Sequence, residues 1–274
     1  MMPPAATVSR AATHLKVLSA GAVKYVVTDV AAKFTRDTGD DIELSFVTIG
    51  GVQKRLEHGE TADIIMGTAA VIAQMERAGV LVPGSRAELG RTLTGICVHA
   101  AAPMPDISTP ERFKQTMLKA RSVAYTDPQA GGTSGIFLAD LLERLGIAAA
   151  VGSKALLCGK GDEVVEKVSA GDAEIGSTFM SEIVPSKGVK VVGPLPAPMA
   201  NATAYAAGIM AASRNREAAE RFIAALTAPA GAAGHLDRDG IRARRARLIA
   251  GRCSSPLESP QSQDLRTERG RSRW

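Results

Sequence analysis

At 274 residues, with hydrophobic residues at 45% and aromatic ones at only 4%, the chain can hold one large or two modest domains. Its core must be built from Ala, Val, Ile and Leu, which suits helices packed on a buried parallel sheet; no apolar run approaches the roughly 20 residues that span a bilayer, so the body reads as soluble. The net charge of +5 does not mark a nucleic-acid binder, because residues 234–274 carry ten arginines against five acids and leave the rest of the chain neutral.

From residue 15 strand-like and helix-like segments alternate. Residues 15–19 read as a strand, 22–36 as a helix, 41–47 as a strand, 51–58 as a short helix and 63–66 as a buried strand followed by a helix to Gly79. A second unit opens with a strand over 92–100. Ser108, Thr109, Pro110 and Glu111 then start a helix, with Ser108 as the cap, Pro110 in the first turn and Glu111 completing a capping box. Strands at 122–126, 155–158 and 174–179 alternate with helices running to Gly146 and over 163–170. The chain returns through strands at 189–192 and 203–210. It closes on a helix over 215–226, where Ala218, Phe222, Ile223 and Leu226 share one face. The alternation predicts an α/β class with mostly parallel sheets, organised as 15–85, 91–185, 189–229 and a basic tail at 234–274.

The tail has no apolar period, is rich in Arg, Ser and Gly, and by composition reads as disordered. Two origins stay open for it, a genuine basic extension and out-of-frame translation. One choice of codons for its first residues, shifted by one base, encodes Ala-Ile-Trp-Thr-Ala-Thr-Gly-Phe-Glu-Pro, which would continue a helix. The opposite end, MMPPAATVSRAATHLK, lacks the apolar stretch of about 7–15 residues of a secretory signal.

Enzyme motifs are sparse. Cys97, Cys158 and Cys253 have no CxxC spacing and read as structural thiols; His14, His58, His99 and His235 stand alone, so neither a metal nor a cofactor is expected. Gly132-Thr133-Ser134-Gly135 fails the nucleophile elbow because Ile136 holds the last glycine position, and Gly159-Lys160-Gly161 lacks the spacing of a P-loop. A repeated device remains: small or hydroxyl residues between a strand and a helix. It occurs at Ser19–Ala22, Thr48–Gly51, Gly67–Thr68 and Gly131–Gly135. One such turn commonly caps a helix and binds nothing. Several on one sheet edge can line a crevice in which backbone N–H groups meet an anion.

Together with Val17-Leu18-Ser19-Ala20-Gly21-Ala22, further stretches carry a resemblance. These are Phe34, Gly39, Ser45-Phe46, residues 56–64, Asp127-Pro128, Gly135-Ile136, residues 171–176 and residues 186–192. Over residues 15–229 the chain resembles type II periplasmic binding proteins, above all molybdate-binding proteins of ABC transporters. The resemblance implies a two-lobed fold, each lobe a mostly parallel sheet flanked by helices, acting as a monomer and passing a small anion to a transporter's membrane component. It implies a periplasmic location, whereas the missing signal leaves a cytoplasmic or truncated form open. The ligand-binding residues it points to are Ala20, Gly21, Thr48, Gly50, Gly51, Thr133, Ser134 and Phe179. Departures from the molybdate pattern are evident: the first-turn serine falls on Gly21, the second near Thr48 or Gly50, and the late tyrosine on Phe179. Fewer hydroxyls leave a small carboxylate as open as an oxyanion, with Lys24 as a source of charge. Two alternatives stay open: an isomerase of an unsaturated polycarboxylate such as aconitate, with Tyr125 or Lys24 as its base, and a cytoplasmic ligand sensor.

Overall fold

The computed structural model describes residues 12–228; the basic tail, Cys253 and His235 lie outside them. The first segment runs β1 (His14–Ala20), α1 (Lys24–Thr38), β2 (Asp41–Val47), α2 (Ile49–Glu57), β3 (Ile64–Thr68) and α3 (Ala69–Arg77). Alternation of buried Val and Leu in β1 and the buried stripe Val26, Val27, Val30, Ala31 and Phe34 on α1 set which faces meet. Gly39 ends α1 with φ 76°, the left-handed cap that glycine adopts without strain.

The middle segment comprises β4 (Ala87–His99), α4 (Pro110–Lys119), β5 (Val123–Thr126), α5 (Thr133–Arg144), α6 (Ala148–Gly152), β6 (Ala155–Cys158), α7 (Gly161–Ser169), β7 (Ile175–Phe179) and α8 (Met180–Ile183). The cap of α4 is Thr109, not Ser108: the Thr109 hydroxyl accepts from the Arg112 amide at 3.2 Å. This one-residue shift places Pro110 at the first helical position. β8 (Val189–Pro194), β9 (Ala202–Ile209) and α9 (Arg216–Thr227) complete the described chain.

The strands form one mixed sheet, ordered β2-β1-β3-β9-β4-β7-β5-β6, with β8 also on β4. This differs from the expected pair of mostly parallel sheets, and β4 is the reason. Its thirteen residues are long enough for two neighbourhoods: Ala87–Leu93 pairs antiparallel with β9, and Thr94–His99 pairs antiparallel with β7 and β8. Parallel pairing is kept on either side, in β2-β1-β3 and in β7-β5-β6. β8 therefore joins the middle segment, and the return toward β3 begins only with β9.

Apolar cores flank the two stretches of sheet. Leu15, Val27, Phe34, Ile64 and Phe222 pack on one face of the first stretch, and Leu18, Val52, Ile65, Ile72 and Leu81 on the other. Phe113, Met117, Val123, Leu138 and Leu142 pack on the second stretch, opposite Cys97, Val164, Val168 and Ile183. Buried Asp63 ties the return to the first segment: it accepts from the Lys16 amide, from the Ser213 hydroxyl and from the Asn215 side-chain amide. Among the described residues, no helix is long and apolar enough to cross a membrane.

Candidate functional site

The parallel strands β1, β2, β5, β6 and β7 each end where a turn leads into the next helix, and these turns meet. They enclose a cleft of about 320 Å³, part of it open to solvent. Ala20, Gly21 and Ala22 line it at the end of β1, Thr48 and Ile49 where β2 leads into α2, and Gly132, Thr133 and Ser134 at the start of α5. Lys160 and Gly161 line it at the start of α7, Phe179 at the end of β7 and Glu182 on α8. Of the expected binding residues, Ala20, Gly21, Thr48, Thr133, Ser134 and Phe179 are thus together. Gly50 and Gly51 are not on the lining.

Gly50 instead packs backbone to backbone: a Cβ placed there would lie 2.8 Å from the Gly131 Cα, and Gly131 itself has φ +72°. The Gly50 amide points at the Gly131 carbonyl at 3.4 Å. Thr48 is committed to the protein rather than free for a ligand: its hydroxyl donates to the Ala130 carbonyl at 2.6 Å and accepts from the Gly51 amide at 3.1 Å, capping α2. The second turn is therefore a clasp on the loop before α5. The third turn, Gly67–Thr68, lies off this lining: Thr68 caps α3 by accepting from the Val71 amide.

Ser134 belongs to a line of buried hydroxyls. Its oxygen is 3.0 Å from the Thr126 hydroxyl and 3.4 Å from that of Thr178, and Thr178 donates to Glu182 Oε2 at 2.5 Å. The same carboxylate oxygen accepts from the Phe179 amide at 3.3 Å. Phe179 has no hydroxyl; its ring meets Tyr205 edge-on, with centroids 5.9 Å apart. Tyr205 also lines the cleft, as Thr133 does. Burial pushes the Tyr205 phenol up, so it stays neutral and can donate.

A second hollow of about 350 Å³ adjoins the first and shares Gly21, Val47, Lys160 and Glu182 with it; Lys24, Tyr25, Phe46 and Asp162 complete its lining. Lys24 Nζ donates to Asp162 Oδ2 at 2.7 Å, and Lys160 Nζ lies 3.6 Å from the other oxygen. Hydrogen bonding to Asp162 holds the Lys24 ammonium above its usual range despite partial burial. Burial alone would raise Asp162, but the Lys24 hydrogen bond and the charges of both lysines outweigh it and bring the carboxyl below its usual range.

Like Asp162 and Tyr205, Glu182 is an ionisable group that sequence reasoning missed. Only 5% of it is exposed, and burial raises its carboxyl to about 7, against the lowering effect of the Thr178 and Phe179 hydrogen bonds. A signal was present: one acid inside Phe179-Met180-Ser181-Glu182-Ile183-Val184, a mostly apolar run at a strand end. Tyr125, considered as a base, packs in the core against β5's neighbours rather than on either hollow. His14, His58 and His99 make local contacts with Asp41 and Glu43, with the Lys54 carbonyl, and with the Ala101 amide, away from the cleft. Burial pushes the Cys97 thiol up to about 12 and that of Cys158 to about 11, which leaves both unreactive at neutral pH.

This curled mixed sheet, with its strand ends around the cleft, matches the fold of solved periplasmic binding proteins. The fold matches the periplasmic molybdate-binding protein of Azotobacter vinelandii with a TM-score of 0.66 at 19% identity, covering 82% of this chain and 97% of that one. It matches the substrate-binding protein of an ABC transporter from Agrobacterium tumefaciens with a TM-score of 0.65 at 15% identity, covering 88% and 85%. The chain belongs to the bacterial extracellular solute-binding protein family, whose profile matches residues 15–235. Among characterised relatives, it is 29% identical over 217 residues to an aconitate isomerase from a Pseudomonas species, which covers 77% of this chain and 81% of that protein. It is 23% identical over 185 residues to the molybdate-binding protein ModA of Escherichia coli K12, covering 66% and 71%.

Proposed function

We propose that the protein captures one small anion in this cleft, as the monomeric receptor of an ABC-type uptake system. The observation that carries the reading is the convergence of strand-to-helix turns from distant parts of the sequence, Gly21, Thr133 and Gly161 among them, around one small volume. The leading amides of α5 and α7 lack intrahelical partners and carry the positive end of the helix dipole. Lys24 and Lys160 add positive charge at the rim. In this reading the two stretches of sheet act as two lobes, closing over the ligand about the strands that cross between them. Ala20, Gly21, Thr133, Ser134 and Phe179 then line the bound state, while Thr48, Gly50 and Gly51 hold the lobes in register. A thermal-shift and calorimetric screen against molybdate, tungstate, sulfate, phosphate and small di- and tricarboxylates tests it. A true ligand at 100 times its dissociation constant stabilises by about 2.7 kcal/mol. A folded protein that ignores the whole panel would sink the reading.

A second reading, isomerisation of a small unsaturated polycarboxylate, is favoured by the Glu182 carboxyl, because an allylic proton shift needs a buried group able to take and return a proton near neutral pH. Incubation with cis- or trans-aconitate in deuterated water distinguishes the two: vinylic and methylene exchange by NMR supports turnover, and tight binding without exchange supports a receptor.

A further inference from the structure

Glu182 stands out as the one acid on the lining of the first cleft, beside Lys160; the adjoining hollow adds Lys24 and Asp162. The Glu182 carboxyl is nine-tenths buried, faces both hollows, and lies so close to the turn before α7 that a Cβ on Gly161 would sit 2.0 Å from Oε2. Oε2 is occupied by the Thr178 hydroxyl and the Phe179 amide. Oε1 makes no hydrogen bond among the described residues and sits between the first turn and α7, 3.5 Å from where a Cβ on Gly21 would stand and 2.3 Å from where one on Gly161 would. Among the described residues no cation is in direct contact with the carboxyl. From α7, Asp162 faces Glu182 and disfavours its charge; from α1, Lys24 favours it, but Lys24 is itself paired with Asp162. Lys160 stands at the rim and the neutral phenol of Tyr205 across the cleft. β4 meets α8 through Thr92, which accepts from the Ser181 amide, and Lys190 of β8 reaches away to the Ala102 carbonyl.

We propose that Glu182 is the selectivity residue of the cleft, and that an anion enters together with one proton, shared between Glu182 Oε1 and the ligand. The inference rests on the anion-binding reading. Two acceptor-only groups, a carboxylate and an anion oxygen, repel one another when packed within hydrogen-bonding distance in a poorly solvated site; a proton between them converts the clash into a charge-assisted hydrogen bond. Ligands that still hold a proton at neutral pH satisfy Glu182 directly. Fully ionised anions bind only the protonated form of the protein.

Calorimetric titrations with molybdate, sulfate and trans-aconitate, each run between about pH 6 and 8.5 on wild type and Glu182→Gln, test this. These probes keep a constant charge above about pH 7, so a slope there belongs to the protein. Wild-type affinity should fall toward tenfold per pH unit above about pH 7, and buffers of different ionisation enthalpy should report uptake of close to one proton. The variant should bind as tightly as wild type does at the acid end, with a flat profile and no uptake. Glutamine's single carbonyl can accept from both Thr178 and Phe179, so the cap on α8 survives. Binding by wild type that does not change with pH, or the same slope in both proteins, overturns the proposal while leaving anion capture intact. No binding of any probe by either folded protein overturns anion capture and the proton coupling together.

Discussion

Lys24 Nζ and Asp162 Oδ2 are 2.7 Å apart although 138 residues separate them, and their contact joins the first turn of α1 to the first turn of α7 across the cleft. Their side chains are 37% and 15% exposed. An ion pair so wetted contributes at most about 1 kcal/mol to stability. Its influence on a bound anion should be larger and of opposite sign for the two partners.

Lys24→Met should weaken anion binding by about three- to tenfold, and Asp162→Asn should strengthen it by a similar factor, because one removes an attractive charge and the other a repulsive one. Calorimetric titration of both variants checks this. Equal losses in both would mean that the pair is only a strut.

Glu182 should impress its titration on folding stability. Its carboxyl lies at about 7 in the native protein against an ordinary 4.5, so the native state holds a proton that the unfolded chain releases. The stability it contributes is complete below about pH 4.5 and is lost as pH rises to about 7, by roughly 3 kcal/mol in total. Asp162, held below its usual range, acts in the opposite sense, its contribution present above about pH 4 and lost on further acidification. Urea unfolding across this range should show a decline between pH 4.5 and 7 in wild type that Glu182→Gln lacks; parallel curves would contradict it.

The clasp between the second turn and the loop before α5 should matter more to binding than to folding. A methyl group on Gly50 would meet the Gly131 Cα at 2.8 Å and the Ala130 carbonyl oxygen at 3.0 Å, both backbone atoms. Gly50→Ala should therefore push the turns apart and weaken ligand binding about tenfold, with little change in melting temperature. Thr48→Val removes both the donor to Ala130 and the cap of α2, and should lower stability by about 1–2 kcal/mol as well. Unchanged affinity in Gly50→Ala would show that the turns act independently.

Gly135 is a folding position. A Cβ there would lie 1.7 Å from the Thr126 carbonyl oxygen, where α5 crosses the end of β5. No rotamer relieves a clash with backbone, so Gly135→Ala should destabilise by about 3 kcal/mol or more in chemical denaturation. A loss below about 1 kcal/mol would mean that α5 shifts freely on the sheet.

Much of this was legible along the chain. Local rules act within a few residues: strand-like composition marked β1 and β9, a short buried apolar run marked β3, the stripe Ala218, Phe222, Ile223, Leu226 marked α9, and small residues after strands marked the turns at Gly21, Thr133 and Ser134. Tertiary structure alone decided the rest. That β4 serves two stretches of sheet depends on which partners reach its two halves: the pairs Leu93↔Ala202 and Thr94↔Phe179 join residues 109 and 85 positions apart, a distance no local pattern encodes. Thr48 and Gly50 carry the signature of an anion turn, yet their hydrogen bonds go to Ala130 and Gly131, which only folding brings near. Glu182 reads in sequence as one acid in a mostly apolar run; its character comes from burial beside Gly161 and Thr178, because a carboxyl's charge is set by the solvent and donors that surround it in space.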